Sequence, residues 1–158
     1  QERRDYSNKV GLDTESMFVK ACEPFGYICE KADAHTDMYE HIDFHIRRTD
    51  GTITSVDVKG GNHPKTIWVE FKNVYGADGW LFGKAEFIAF DMPELNGFVM
   101  VKRQHLIDYC ETNVEKVFVT KQQATRKLYQ RNSRKDVISR LEICDLQAIP
   151  SYKLLTYS

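Results

Sequence analysis

His41-Ile-Asp-Phe-His-Ile46 is followed by the turn Arg47-Arg-Thr-Asp-Gly-Thr52, the run Ile53-Thr-Ser-Val-Asp-Val-Lys59, a short Gly/Pro loop and Ile67-Trp-Val-Glu-Phe-Lys72. Each run alternates apolar and polar residues with period two, which marks a half-buried strand. Ile42, Phe44 and Ile46 fall on one face of the first run, and His41, Asp43 and His45 on the other. In the second, Val56 and Val58 oppose Ser55, Asp57 and Lys59; in the third, Ile67, Val69 and Phe71 oppose Trp68, Glu70 and Lys72.

The turn proposes a register. Thr49-Asp50-Gly51 suits a three-residue hairpin loop with Gly in the left-handed position. Arg48 then faces Thr52, and counting back sets His45 against Ser55, Asp43 against Asp57 and His41 against Lys59. Directly opposed carboxylates would lie roughly 4.5–5.5 Å apart at Cβ, a like-charge pair that weakens a sheet. A hard divalent cation takes carboxylate oxygens and converts that liability into a site. A two-residue Asp50-Gly51 loop would shift the register by one and break the facing. Any one of these residues alone is better read as part of a wet amphipathic face; the set, with Lys59 two residues after Asp57, points to a site.

With 158 residues, 42% apolar and 12% aromatic, the chain suits one domain, 1–158, with room for a core. No run approaches the roughly 18–20 apolar residues that span a bilayer, and Gln1-Glu-Arg-Arg-Asp-Tyr6 lacks the apolar stretch of a signal peptide. Cys22, Cys29, Cys110 and Cys144 include no Cys-x-x-Cys pair, which argues for reduced thiols and against a zinc finger. Cys22 and Cys144 lie among apolar neighbours and read as small core residues. The expectation is a cytoplasmic protein without membrane contact.

The net charge of −1 hides an asymmetry. Residues 1–115 carry thirteen Lys/Arg against twenty Asp/Glu, whereas 116–140 carry eight basic residues against Asp136 alone. A dense basic block beside an acidic site suits a phosphate backbone. Arg126, Lys127, Arg131, Arg134 and Lys135 are the candidate contacts, with Lys84 outside the block and Tyr129 able to stack on a base. The alternative is a solvated helix face.

In order, the chain offers a helix capped by Asp13 or Thr14, with Phe18, Cys22 and Phe25 at helical spacing and an end at Pro24-Phe25-Gly26. Glu15 lies on that stripe, either aimed at the sheet or serving as a first-turn charge. Tyr27-Ile28-Cys29 reads as a short strand and Lys31–Glu40 as an irregular loop lining a site. Glu86–Phe90 reads as a short strand or helix end, Gly97–Val101 and Val117–Thr120 as strands, and Gln104–Glu111 as a helix. The basic segment leads to a helix ending near Ile138–Leu141, and Trp68 and Trp80 read as packing residues. The fold class is α/β, a mixed central sheet flanked by helices.

This order of elements resembles the PD-(D/E)XK nuclease superfamily, which includes restriction endonucleases, Holliday junction resolvases and phage-encoded enzymes. The likeness covers residues 13–72: a helix carrying Glu15, a strand, and a hairpin placing Asp43 against Asp57-Val58-Lys59 fourteen residues on. Ile42 stands where the motif has Pro, and Asp57 where Glu is commoner. The resemblance implies a restriction-endonuclease-like core. It also implies Mg²⁺, replaceable by Mn²⁺, held by Asp43, Asp57, the Val58 carbonyl and, through water, Glu15. Lys59 would orient or help deprotonate the attacking water, and cleavage of DNA would leave 5′-phosphate and 3′-hydroxyl ends. A homodimer able to cut both strands follows by the same analogy. Glu70-Phe71-Lys72 is a second acidic-x-Lys, either an auxiliary on the neighbouring strand or the true partner of Asp57.

Three functions therefore compete. The first is a metal-dependent DNA endonuclease; the second is a non-catalytic nucleic-acid binder on a nuclease-like fold; the third is a metal-stabilised interaction protein.

Overall fold

Gly51, at φ +86°, closes the central hairpin. Its amide donates to Arg48 O (3.0 Å), and the Arg48 amide donates to Thr52 O (2.8 Å), giving the register expected for a three-residue loop. Asp50 Oδ1 locks the turn by accepting from the amide (2.9 Å) and hydroxyl (2.6 Å) of Thr52.

A computed structural model describes residues 14–61 and 63–157. In chain order its elements are helix α1 (14–22), β1 (Ile28–Lys31), α2 (Ala34–Glu40), β2 (Phe44–Arg47), β3 (Ile53–Lys59), β4 (Thr66–Lys72), β5 (Phe87–Met92), β6 (Gly97–Lys102), α3 (Arg103–Asn113), β7 (Glu115–Phe118), β8 (Lys127–Leu128), β9 (Val137–Glu142), α4 (Ile143–Gln147) and β10 (Lys153–Thr156). The proposed Asp13 cap lies outside the described residues.

The fold is mixed α/β around a mixed sheet of order β1-β2-β3-β5-β6-β10. β3 and β5 run parallel; the other neighbours are antiparallel. Two smaller pairings, β4 with β9 and β7 with β8, complete the described strands. Period-two alternation gives the central sheet two apolar faces. Phe44, Ile46, Val56, Phe87, Ala89, Phe98 and Met100 cover one and pack on Phe18, Ala21 and Cys22 of α1. Ile88, Phe90, Met92, Val99 and Val101 cover the other, beneath β4, β9, α3 and α4. Among the described residues no helix is long and apolar enough to cross a membrane.

Several expectations change. Residues 34–40 form a helix rather than a loop, because Asp33 caps it by accepting from the Thr36 amide (2.7 Å). That helix ends on His41 in the left-handed conformation (φ 55°), so the strand begins at Phe44 and His41 does not face Lys59. The same bend moves Ile42 off the Phe44–Ile46 face and into a small cluster with Ala32 and Ala85. Val137–Glu142 is a strand, not a helix end, because its alternating residues pair with β4. Cys22 is buried as expected, but Cys144 is exposed at the start of α4.

Candidate functional site

Asp43 remains in the sheet although it precedes β2. Its amide donates to Val56 O and its carbonyl accepts from the Ala32 amide, each at 2.9 Å. Only 8% exposed, its side chain turns Oδ2 to accept from the Val58 amide (2.6 Å). Burial, the adjacent Asp37 carboxylate and the charge of Asp57 push the Asp43 carboxyl up to about 7, while the Val58 hydrogen bond opposes them.

Asp43 belongs to an acidic cluster that sequence spacing only partly disclosed. Glu15 from α1 and Asp37 from α2 join it, with one carboxylate oxygen of each within 4.8 Å of the others. Lys31, at the end of β1, sits among the three, its Nζ 3.0 Å from Glu15, 3.3 Å from Asp37 and 3.8 Å from Asp43. α1 reaches the site because its first residue, Thr14, lies against Gly60, just beyond β3; a Cβ at Gly60 would come within 2.7 Å of Thr14 Cγ2.

Asp57 is 3% exposed and is held differently. Lys59 Nζ lies 3.4 Å from Oδ1, and Arg103 Nη2 lies 3.7 Å from Oδ2, a buried oxygen with no hydrogen-bond partner. Arg103 is itself buried and uses its other donors on backbone: Nε to Ala85 O (2.6 Å) and Nη1 to Leu81 O (2.9 Å) and to Trp80 O. Sequence reasoning missed Arg103, Lys31 and Asp37. Asp33 three residues before Thr36 could have revealed the helix that presents Asp37; no local signal marks Arg103.

Glu70 is not on the strand beside β3. It lies in β4, which pairs with β9, while β3 is flanked by β2 and β5. Glu70 Oε1 accepts from the Trp80 amide (3.2 Å), and Lys72 is exposed. The link to the centre runs through Trp80, whose ring centroid is 4.9 Å from Lys59 Nζ. Trp80 thus joins the two acidic-x-Lys stretches, a role beyond packing.

The basic candidates separate into paired and open residues. Arg126 binds Asp145 (2.8 Å) and Glu142 (2.9 Å), and Arg131 binds the fully buried Asp136 (2.6 Å). Lys127 is half-buried in β8, and Lys84, with its side chain 73% exposed, stands 4.0 Å from Glu40. Arg134 and Lys135 are exposed in the loop before β9. The segment is therefore a folded edge with some charge neutralised internally, not a uniformly free cationic face.

Glu15, Asp37 and Asp43 could hold a hard divalent cation, their oxygens lying within 4.8 Å of one another; Asp57 is not one of that group. A buried Asp57 oxygen lacks a donor, and Asp43 resists ionisation partly because of Asp57 and Asp37. A cation held by Glu15, Asp37 and Asp43 would offset the charge crowding around Asp43. No protein-family model, curated protein sequence or solved structure matches this chain.

Proposed function

We propose that this protein is a Mg²⁺-dependent nuclease acting on DNA, with its centre at Asp43, Asp57 and Lys59 and with Glu15 and Asp37 at its margin. The observation that carries the reading is the hairpin: one turn brings a buried carboxylate ahead of β2 together with a buried carboxylate and a Lys in β3. The reading also draws on the resemblance of residues 13–72 to the PD-(D/E)XK superfamily in the sequence.

Phosphodiester hydrolysis needs a nucleophile available at neutral pH and stabilisation of an extra-negative phosphorus centre. Asp43, Asp57 and the Val58 carbonyl are the residues that would hold Mg²⁺, with Glu15 acting through water. The bound ion supplies a water of lowered pKa and a Lewis acid. Lys59 holds its ammonium beside Asp57 Oδ1, where it can orient the attacking water and offset charge on the phosphate. Arg103 balances the Asp57 charge from the other side, at 3.7 Å.

A second reading rests on Lys31. Its ammonium already balances Glu15, Asp37 and Asp43 without a metal, which leaves the exposed Arg134 and Lys135 of the basic segment to serve a non-catalytic nucleic-acid binder. Calorimetric Mn²⁺ titration of wild type, Asp43→Asn and Asp57→Asn, with plasmid nicking on the same samples, decides between them. The nuclease reading expects binding and nicking by wild type and loss of both in the two variants. Lys59→Ala should still bind Mn²⁺ while nicking falls roughly 10²–10⁴-fold, the range of a lost proton-transfer group. Wild type that binds no metal overturns the assignment in favour of the second reading.

A further inference from the structure

A recess of about 270 Å³ lies beside Lys59, across the Trp80 ring, lined by Trp68, Glu70, Trp80, Lys121, Tyr129 and Arg131. We propose that it receives one unpaired nucleotide of the DNA strand, its base stacked against the aromatic rings and its phosphate met by Lys121. This rests on the nuclease reading of the Asp43/Asp57/Lys59 centre and adds to it a preference for single-stranded or locally unpaired substrate.

The lining is built for a flat, partly polar guest. Trp68 and Tyr129 lie with ring centroids 6.0 Å apart at 39°, and Arg140 covers Trp68 at 5.3 Å. Trp80 is set edge-on to Phe90 (5.9 Å, 61°) and anchored by its amide to Glu70. These rings are half-buried, and a base turned out of a duplex presents its faces to such a recess where a stacked one does not. Aromatic rings flanked by cations are how proteins hold unpaired bases. The volume falls just under the roughly 300–1,000 Å³ of drug-sized sites, suited to one nucleotide rather than a helix.

Two features tie the recess to the chemistry. Trp80 forms its wall and also carries Lys59 Nζ on its ring, so a guest against Trp80 lies one side chain from the centre. Arg131 is positioned at the rim because the fully buried Asp136 takes both its Nε (2.6 Å) and its amide (3.3 Å). Lys121 is exposed at the same rim, where a phosphate flanking the base would pass.

The chain has two tryptophans, Trp68 and Trp80, and both line this recess, so intrinsic fluorescence reports on it directly. The full chain in EDTA, where metal-dependent cleavage is off, is titrated with an eight-nucleotide single strand and with a blunt, loop-free duplex that contains the same sequence. The single strand should quench fluorescence saturably and bind at least about tenfold more tightly than the duplex. Tyr129→Ala should weaken it about 5- to 150-fold, the value of one stacked base, whereas Tyr129→Phe should retain it. Lys121→Glu, at an exposed position that folding tolerates, should also weaken it. Equal affinity for both forms, or single-strand binding without quenching, overturns the proposal. Quenching without metal-dependent nicking sinks only the nuclease reading; nicking without quenching sinks only the recess.

Discussion

Arg103 Nη2 lies 3.7 Å from Asp57 Oδ2, with both residues almost fully buried, so the first residue of α3 neutralises the middle of β3. Burial draws the guanidinium pKa below its ordinary value and Asp57 opposes that pull. Removing one member of such a pair leaves an uncompensated buried charge, typically at a cost of about 3–5 kcal/mol. Arg103→Met should lose stability on that scale in urea unfolding, because it also frees the carbonyls of Trp80, Leu81 and Ala85. Combining it with Asp57→Asn should recover part of the loss, with a coupling of about 0.5–3 kcal/mol. Strict additivity would mean that the two groups do not interact. Asp57→Asn is consequently expected to perturb folding as well as cleavage, and its activity should be read beside its unfolding curve.

The raised Asp43 pKa has a defined sign. Its folded value of about 7 lies above the roughly 3.9 of an unfolded Asp, so the fold prefers the neutral acid. The associated stability is complete below about pH 4 and is lost as pH rises through about 7, with a ceiling near 4 kcal/mol. Metal-free protein should therefore show a falling Tm between pH 5 and pH 8. Asp43→Asn should flatten that slope, and Mg²⁺ should raise Tm more at pH 8 than at pH 5. A slope unchanged in Asp43→Asn would assign the pH dependence to other groups.

The hairpin was legible because two local rules agree there: Gly51 supplies the left-handed turn residue, and strict alternation on both sides fixes the register. The pairing of Phe44–Arg47 with Ile53–Val56 follows from those rules, whereas Asp43 precedes the strand and its expected facing of Asp57 is not one of the ladder pairs. His41 and Ile42 were misplaced because the Asp33-capped helix overrides alternation for three residues. Arg103 lay beyond sequence reading because its partners are eighteen or more positions away and meet it only through tertiary packing. The basic segment shows the same limit. A charge count does not reveal that Asp145 and Asp136 already hold Arg126 and Arg131.

Lys31 competes with any cation at the acidic cluster. Its Nζ lies within 4.0 Å of Glu15, Asp37 and Asp43, where like charges would repel a divalent ion. Lys31→Met should tighten Mn²⁺ binding about fivefold or more by calorimetry. Metal-free stability should change by no more than about 1 kcal/mol, since the Lys is half-exposed and screened. Weaker Mn²⁺ binding in this variant would show that Lys31 organises the carboxylates rather than opposing the metal.

Gly79 controls how the recess meets the centre. Its amide donates to Phe71 O (2.9 Å), and the next residue, Trp80, donates to Glu70 Oε1 (3.2 Å), so the loop is strapped against β4. A Cβ at Gly79 would drive into the Glu70 carbonyl, lying 2.7 Å from its carbon, and this is backbone that cannot rotate away. The obstacle is steric and not conformational, because Gly79 has an ordinary φ of −77°. Gly79→Ala should cost about 1–3 kcal/mol as an overpacking change. It should also displace Trp80 from Lys59, shifting the tryptophan emission and lowering nicking together. Stability lost with emission and nicking intact would mean that the loop moves without Trp80, and that Lys59 does not depend on the ring for its position.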